Sequence, residues 1–545
     1  METLVHGGFY HRRDRVARSR GKWSLLERFC ARVRAAGQTA ALLFALAMCS
    51  CAKPAPLAPP EYLQIDINTS PTALDPRLAV DAISSRVDEL IYDSMTKIGR
   101  DGNFAGDLAD RIERPTSTQL IFHLRRGVRF SDGRELTARD VKYTYDSVLD
   151  PVSRSLKRPG LAELASIRVV DDYTVEITTK RPYAPALEMA QYGVVPNGTP
   201  LPGEGGGSAP PGSGPFRLVR FTRDEAVVLV RNPYRGYPRG AAPGIVLKIV
   251  PDATVRALEL TEGVCDFAEN DSIQPDLIPY LAAQPDLRVV KTPGTTFQYL
   301  AFNFRDARLR DVRIRRAIGY AIDRQQIVDA MLRGTARVAS GMLTPENWAY
   351  TGEVMRYRYD PAAAKRLLED AGYAPGDPRL RFVYKTTPEG RRLAEAIQAM
   401  LKRAGITVEI HTNEWATFFS DLVRGNFDLA PSQWVGINDP HQYYLVFDSR
   451  MVPPEGYNRG GYVNPEMDRL VEAGDITLDL KARRKIYAGV QQLAARDLPY
   501  VPLWWVDNVA VMNRRVSGFE PYPNGSLRSF AAAAYRPGSA RKRFR

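Results

Sequence analysis

Ser213 stands in Gly212-Ser-Gly-Pro215, a setting that could bare a nucleophilic hydroxyl. No helix follows it, and a nucleophile elbow needs the sharp strand-to-helix turn to expose its oxygen. His441 follows Asp439-Pro440, and imidazole there raises a metal or metal-chelate reading. Yet the chain has only five histidines, two of them (His6 and His11) in its first fifty residues, and no Cys/His cluster has ligand spacing. His123 and His411 fall in strand-like runs, as packed or surface positions. There is no P-loop, no HExxH and no dinucleotide fingerprint. Acidic side chains are plentiful, but spacing pairs none of them as the two carboxylates of a glycosidase. Enzyme chemistry, a resident cofactor and a bound metal are therefore not expected.

The cysteines carry more information. Cys49-Ser50-Cys51 closes a run Thr39-Ala-Ala-Leu-Leu-Phe-Ala-Leu-Ala-Met48, which an Arg-rich segment precedes. A charged region, a short apolar run and small residues at its exit are the parts of a secretory signal, and the run is too short for a membrane span. A Cys at that exit resembles a bacterial lipobox. Cys51, after Ser50, suits lipidation best, with Cys49 the alternative, and the long charged segment leaves the true start codon open. Residues 1–50 are thus expected to be a signal peptide with lipobox. Residues 51–60 (Cys-Ala-Lys-Pro-Ala-Pro-Leu-Ala-Pro-Pro) read as a Pro-rich tether holding a globular body at the membrane through its lipid, in the periplasm or cell envelope. Processing would leave only Cys265 besides Cys51, so no intramolecular disulfide is expected.

The net charge of +13 is concentrated at the ends. Residues 1–50 carry +6 and the tail after residue 530 carries +5, leaving about +2 on the body. That body offers no electrostatic footprint for nucleic acid, and the basic tail 536–545 reads as a solvated end. Periodicity places strands at 62–67, 119–124, 173–179, 216–221 and 226–231, the last two as a hairpin after the Gly/Pro-rich stretch 202–214. It predicts helices over 84–95, capped by Ser84, and from Thr137, where Thr137 and Asp140 have capping-box spacing. Farther on, the pattern gives a helix over 311–332 and another over 361–371, with Asp360 as cap, Pro361 first and Gly372 past the end. Strand 379–384, helix 389–404 and strand 406–410 make a βαβ unit. Helix 414–424, strand 427–430, helices 465–473 and 479–496 and a strand at 500–506 complete the pattern.

Several segments in fixed order resemble the solute-binding component of the dipeptide, oligopeptide and nickel ABC importers, the family 5 extracellular binding proteins. The most specific is Phe122-His-Leu-Arg-Arg-Gly-Val-Arg-Phe-Ser-Asp-Gly133 with Leu136-Thr-Ala-Arg-Asp-Val141. Others are Leu74-Asp-Pro76, Tyr299-Leu-Ala-Phe-Asn-Phe304, Tyr359-Asp-Pro-Ala-Ala-Ala-Lys-Arg-Leu-Leu368 and Asn464-Pro-Glu-Met-Asp468 with Leu498-Pro-Tyr-Val-Pro-Leu503. The resemblance implies an α/β, two-lobed, type II periplasmic-binding-protein-like fold, its lobes of mixed sheet with flanking helices and an extra subdomain in lobe I. Crossings near Tyr299 and Tyr500 would make 61–297 and 503–535 lobe I and 298–502 lobe II. The implied work is capture of a small-molecule or short-peptide ligand in the interlobe cleft by a monomer and delivery to an ABC permease. Ligand sensing without transport, or nickel or metal-chelate binding, are the alternatives.

Gln433-Trp434-Val-Gly-Ile-Asn-Asp-Pro440 is similar to the family's loop after a lobe II strand, where peptide binders place an aspartate three residues beyond the Trp, opposite the peptide amine. Here Ile437 holds that position, which argues against standard amine capture unless Asp439 or Asp81 takes over the role. The backbone of Trp434, Val435, Gly436 and Ile437, together with Asp81 and Ala82, could pair with an extended ligand. Trp415 and Trp434 would supply apolar walls, whereas Tyr443 and Tyr444 read as loop packing.

Overall fold

The computed structural model describes residues 57–201, 209–374 and 376–535. Cys30, Cys49, Cys51, the signal segment, most of the tether and the basic tail lie outside the described residues.

An eleven-stranded sheet forms the spine. Across it run Thr407–Thr412, Arg381–Thr386, Leu429–Trp434, Leu287–Phe302, Tyr500–Asn513, Phe267–Glu269, Leu63–Ile67, Gly244–Ile249, Ala226–Arg231 and Phe216–Thr222, and Ala336–Val338 pairs off this path with Tyr500–Asn513. Leu287–Phe302 and Tyr500–Asn513 are antiparallel and span 16 and 14 residues, long enough to serve both halves of the molecule. Their register shifts where Thr292 faces Asn508 but Thr296 faces Val506. Pro293–Thr295 thus oppose the single Asp507, a bulge that bends the ribbon. Gly294 belongs there because a Cβ would meet the Val506 carbonyl oxygen at 2.3 Å.

The apolar cores part at the same bulge. Leu63, Ile65, Phe267, Ala510, Met512 and Phe530 pack on one side of it, and Leu300, Ile318, Phe382, Leu429, Leu503 and Trp504 on the other. A separate four-stranded antiparallel sheet (Ala109–Glu113, Gln119–Leu124, Thr174–Thr179, Leu164–Asp171) carries its own core with helix Ala138–Leu149. In Gln119–Leu124, Leu120, Phe122 and Leu124 are buried in alternation, as one covered sheet face demands.

Local signals recover most elements. The capping box at Thr137 and Asp140 forms, with the Thr137 amide donating to Asp140 at 2.7 Å. Asp360 caps helix Pro361–Asp370 by accepting from the Ala363 amide at 2.8 Å, and Gly372 beyond it has φ +86°. Arg381–Thr386 and Thr407–Thr412 are parallel around helix Arg391–Arg403, and Phe216–Thr222 with Ala226–Arg231 is an antiparallel hairpin.

Four expectations need correction. The first helix is Ala82–Ile91 and its cap is Asp81, which accepts from the Ser84 amide at 2.8 Å; Ser84 lies inside the helix. The helix expected over 311–332 is two, Val312–Ala321 and Arg324–Ala330, because Ile322 turns extended and Asp323 caps the second by accepting from the Gln326 amide. The strand expected at 427–430 is Leu429–Trp434, so Trp434 ends a strand opposite Phe297 instead of opening a loop. The last long strand runs on to Asn513, where partners from the first half extend it. Among the described residues, no helix is long and apolar enough to cross a membrane.

Candidate ligand cleft

A cavity of about 780 Å³ opens between the halves, within the usual range of roughly 300–1,000 Å³ for small-molecule sites. Gln274–Asp276 wall it from the first half, and Thr386–Gly390, Trp415–Phe419 and Pro431–Gln433 from the second. Its floor comes from the crossing strands, where the Trp504 indole donates to the Gln298 side-chain oxygen at 2.6 Å. Trp415 starts helix Trp415–Arg424, is 64% exposed and stacks on Phe419 at 5.7 Å. An indole left so open inside a concavity, packed only along one side, offers an apolar wall to a ligand.

Trp434 turns the other way. Its ring is half-buried, stacked on Tyr299 at 5.9 Å and near Tyr457 at 5.4 Å, and it supports the site from behind. Val435 lines the cavity, Gly436 reverses the chain at φ +68°, and Ile437 is buried with its amide donating to the Thr295 carbonyl at 3.2 Å. Ile437 and Asn438 line a second cavity of about 340 Å³, together with Arg100–Asn103, Thr295 and Trp348. The Trp434–Asn438 segment therefore partitions two spaces, both walled by residues of each half.

Neither aspartate expected to meet an amine is placed for it. Asp439 is 5% exposed and both its oxygens are held by Arg483, at 2.6 and 2.8 Å. Withdrawing that carboxylate would strand a buried guanidinium, so Asp439 drops out of the ligand-contact set. Asp81 accepts from the Ser84 amide, the Ser84 hydroxyl and Thr72. Burial alone would raise its pKa, but these donors outweigh it and hold the carboxyl below its usual value. Asp81 and the exposed Ala82 line neither cavity.

Beyond the contacts beside the bulge, such as Ile437 with Thr295 and Arg337 with Asp507 at 2.9 Å, polar groups of the two halves also meet at two places farther out. Asp276 receives Arg392 at 2.8 Å and Arg333 at 3.1 Å across the cleft mouth, and these donors lower its pKa. On the opposite side the Tyr183 hydroxyl meets His441 Nε2 at 3.3 Å, while His441 Nδ1 meets Asp475 at 2.8 Å. Both ring nitrogens are thus engaged, and neither is free for a metal. Burial disfavours the charged imidazole, but Asp475, with help from Glu188 and Asp439, raises its pKa above the ordinary value. Burial, then the charge of Asp439, pushes Glu188 up to about 7 despite the pull of His441 and Arg483. Sequence reasoning missed Asp276, Glu188, Asp475 and Arg459; none sits in a motif, and their partners are remote in the chain.

The remaining candidates are structural. Tyr443 is buried, its hydroxyl accepting from the Met342 amide at 3.3 Å. Ser213 is buried and donates to Asp93 at 3.0 Å. His123 and His411 pair with Glu113 and Glu409 on partly exposed strands, and Cys265 is a buried free thiol.

The sequence profile of the bacterial extracellular solute-binding proteins, family 5 Middle, matches residues 103–450. Heme-binding protein A of Haemophilus influenzae is 30% identical over 74% of this chain and 79% of its own length. The dipeptide-binding protein of Escherichia coli is 28% identical over 74% of this chain and 81% of its own. Among solved structures, NikA of Brucella suis in complex with Fe(III)-EDTA superposes with a TM-score of 0.78 at 24% identity, over 87% of this chain and all of that one. The architecture is the type II periplasmic-binding-protein fold, with lobes of mixed sheet and flanking helices.

Proposed function

From the premise that this chain belongs to the bacterial extracellular solute-binding proteins of family 5, we propose that it captures a peptide or peptide-like solute in the cleft beneath Trp415 and presents it to an ABC permease. The observation that carries this reading is the cavity of about 780 Å³ with walls from both halves and an exposed indole inside it. Relatives named as dipeptide-binding and di/tripeptide-binding proteins support peptide as the solute class. The polar contacts at Asp276 and at Tyr183–His441 are made across the cleft, so their formation distinguishes a closed shape from an open one. A permease reading that difference needs no chemistry from the receptor.

In this proposal the lobes exchange at the Thr292–Thr296 bulge and its partner Asp507, a few residues from the crossings expected at Tyr299 and Tyr500. This moves the expected boundaries at 297/298 and 502/503, so that lobe I is 61–292 with 508–535 and lobe II is 296–506, with Cys51 carrying the lipid of a monomer anchored in the cell envelope. The ligand contacts retained are Trp415 and Val435, with Trp434, Gly436 and Ile437 acting through their backbone and packing. Native mass spectrometry of the purified protein, followed by thermal-shift titration with di- and tripeptides, tests the reading. A ligand at a hundredfold its Kd adds about 2.7 kcal/mol. No peptide carried through purification and no stabilisation by any peptide would defeat the peptide assignment.

A further inference from the structure

Arg459 lines the cleft among aromatic rings. Its guanidinium lies 4.9 Å from the Trp434 ring centre, 5.2 Å from Phe419 and 5.8 Å from Tyr457. The group is half-buried, and among the described residues no carboxylate stands within ion-pair distance of it. The other charged groups of the wall are accounted for. Asp276 is neutralised by Arg392 and Arg333, and Glu389 is exposed. A partly desolvated guanidinium held in place by ring faces and lacking its counter-ion is a preformed receptor for an anion, and its planar fork matches a carboxylate. Trp415 and Phe419 continue the same wall, so an apolar or aromatic body beside the anion would be covered as well.

We propose that the cleft selects a carboxylate borne on an apolar or aromatic body, with Arg459 binding the carboxylate and Trp415 and Phe419 covering the body, and that a free amine on the ligand contributes little. This rests on the cleft being the solute site. It narrows the solute class to anions, whether a peptide C-terminus or a free organic acid.

The test uses matched pairs on the purified full chain. Diphenylalanine and its N-acetyl form are each offered as free acid and as C-terminal amide, beside indole-3-acetate and indole-3-acetamide, with affinity read by calorimetry. Acids are expected to bind at least about tenfold more tightly than their amides, the scale of one charge-assisted hydrogen-bonded pair, with acetylation of the amine changing little. Arg459→Gln should bring acids down to the level of amides, and Arg459→Lys should fall between. Circular dichroism and Tm establish that each variant is folded, and the wild-type acid-to-amide ratio decides the matter even if Arg459→Gln does not fold. Amides binding as well as acids would overturn the inference while leaving the peptide reading intact. Indole-3-acetate binding with every peptide excluded would uphold it and defeat the peptide reading. An acid preference undiminished in folded Arg459→Gln, or no binding by either series, would overturn it.

Discussion

The Trp415 indole is largely exposed within the cleft and packs only along one side, on Phe418 and Phe419. Trp415→Ala should therefore change unfolding free energy little, within about 1 kcal/mol, while weakening the thermal stabilisation given by a bound solute. A thermal-shift titration showing full stabilisation in the variant would remove Trp415 from the site. Asp439 presents the opposite balance. It lines neither cavity and neutralises the buried Arg483. Asp439→Ala should cost about 3–5 kcal/mol in urea unfolding, because the stranded guanidinium keeps its desolvation penalty without its partner. A loss below about 1 kcal/mol would show that Arg483 finds another anion or reaches water.

At the scale of elements, caps and registers decide which face each segment presents. Asp81 holds the amino end of helix Ala82–Ile91, so Asp81→Ala should lower stability by about 1 kcal/mol through the lost cap. Solute affinity should stay unchanged, since Asp81 borders neither cavity; a folded variant that no longer binds would return this aspartate to the ligand. The strand Leu429–Trp434 pairs with Leu287–Phe302 in a register that sets Trp434 against Phe297. That pairing sends Val435 into one cavity and Ile437 toward the other. One residue of slip would exchange the faces.

At the scale of the whole molecule, the Tyr183–His441 contact between the halves ties stability to pH. Glu188 titrates near 7 instead of in the ordinary carboxylate range, and His441 titrates above the ordinary imidazole value; Asp439, Asp475, Arg483 and Tyr183 surround them. Both pKa values are raised in the folded state. Their contribution to stability is thus complete below the ordinary values, near 4.5 for Glu188 and 6.5 for His441, and fades as pH rises through the shifted ones. Tm should fall between about pH 5 and 8, and Glu188→Gln should flatten much of that slope. A wild-type Tm that holds level or climbs across this window would contradict the assignment.

Much of the architecture is written locally. The Thr137 capping box, the Asp360-Pro361 start with Gly372 past the end, and the alternation of Leu120, Phe122 and Leu124 each need only a few neighbouring residues, because caps and pleats act over one turn or one strand. The break at Asp323 was missed because an internal aspartate reads equally as a solvated helix face. The ordered motifs carried the family, and the apolar run ending at Cys51 carried the expectation of export. The polar contacts across the cleft and the buried ion pairs were not legible. Tyr183 and His441 are 258 residues apart and Asp276 and Arg392 116, and within the second half Asp439 and Arg483 are 44 apart. Charge pairing depends on distances of a few ångströms, and only the folded sheet brings those residues within them. The same reason hid Arg459: the sequence shows an arginine in a loop, but the tertiary structure decides that rings surround it and that, among the described residues, no acid pairs with it.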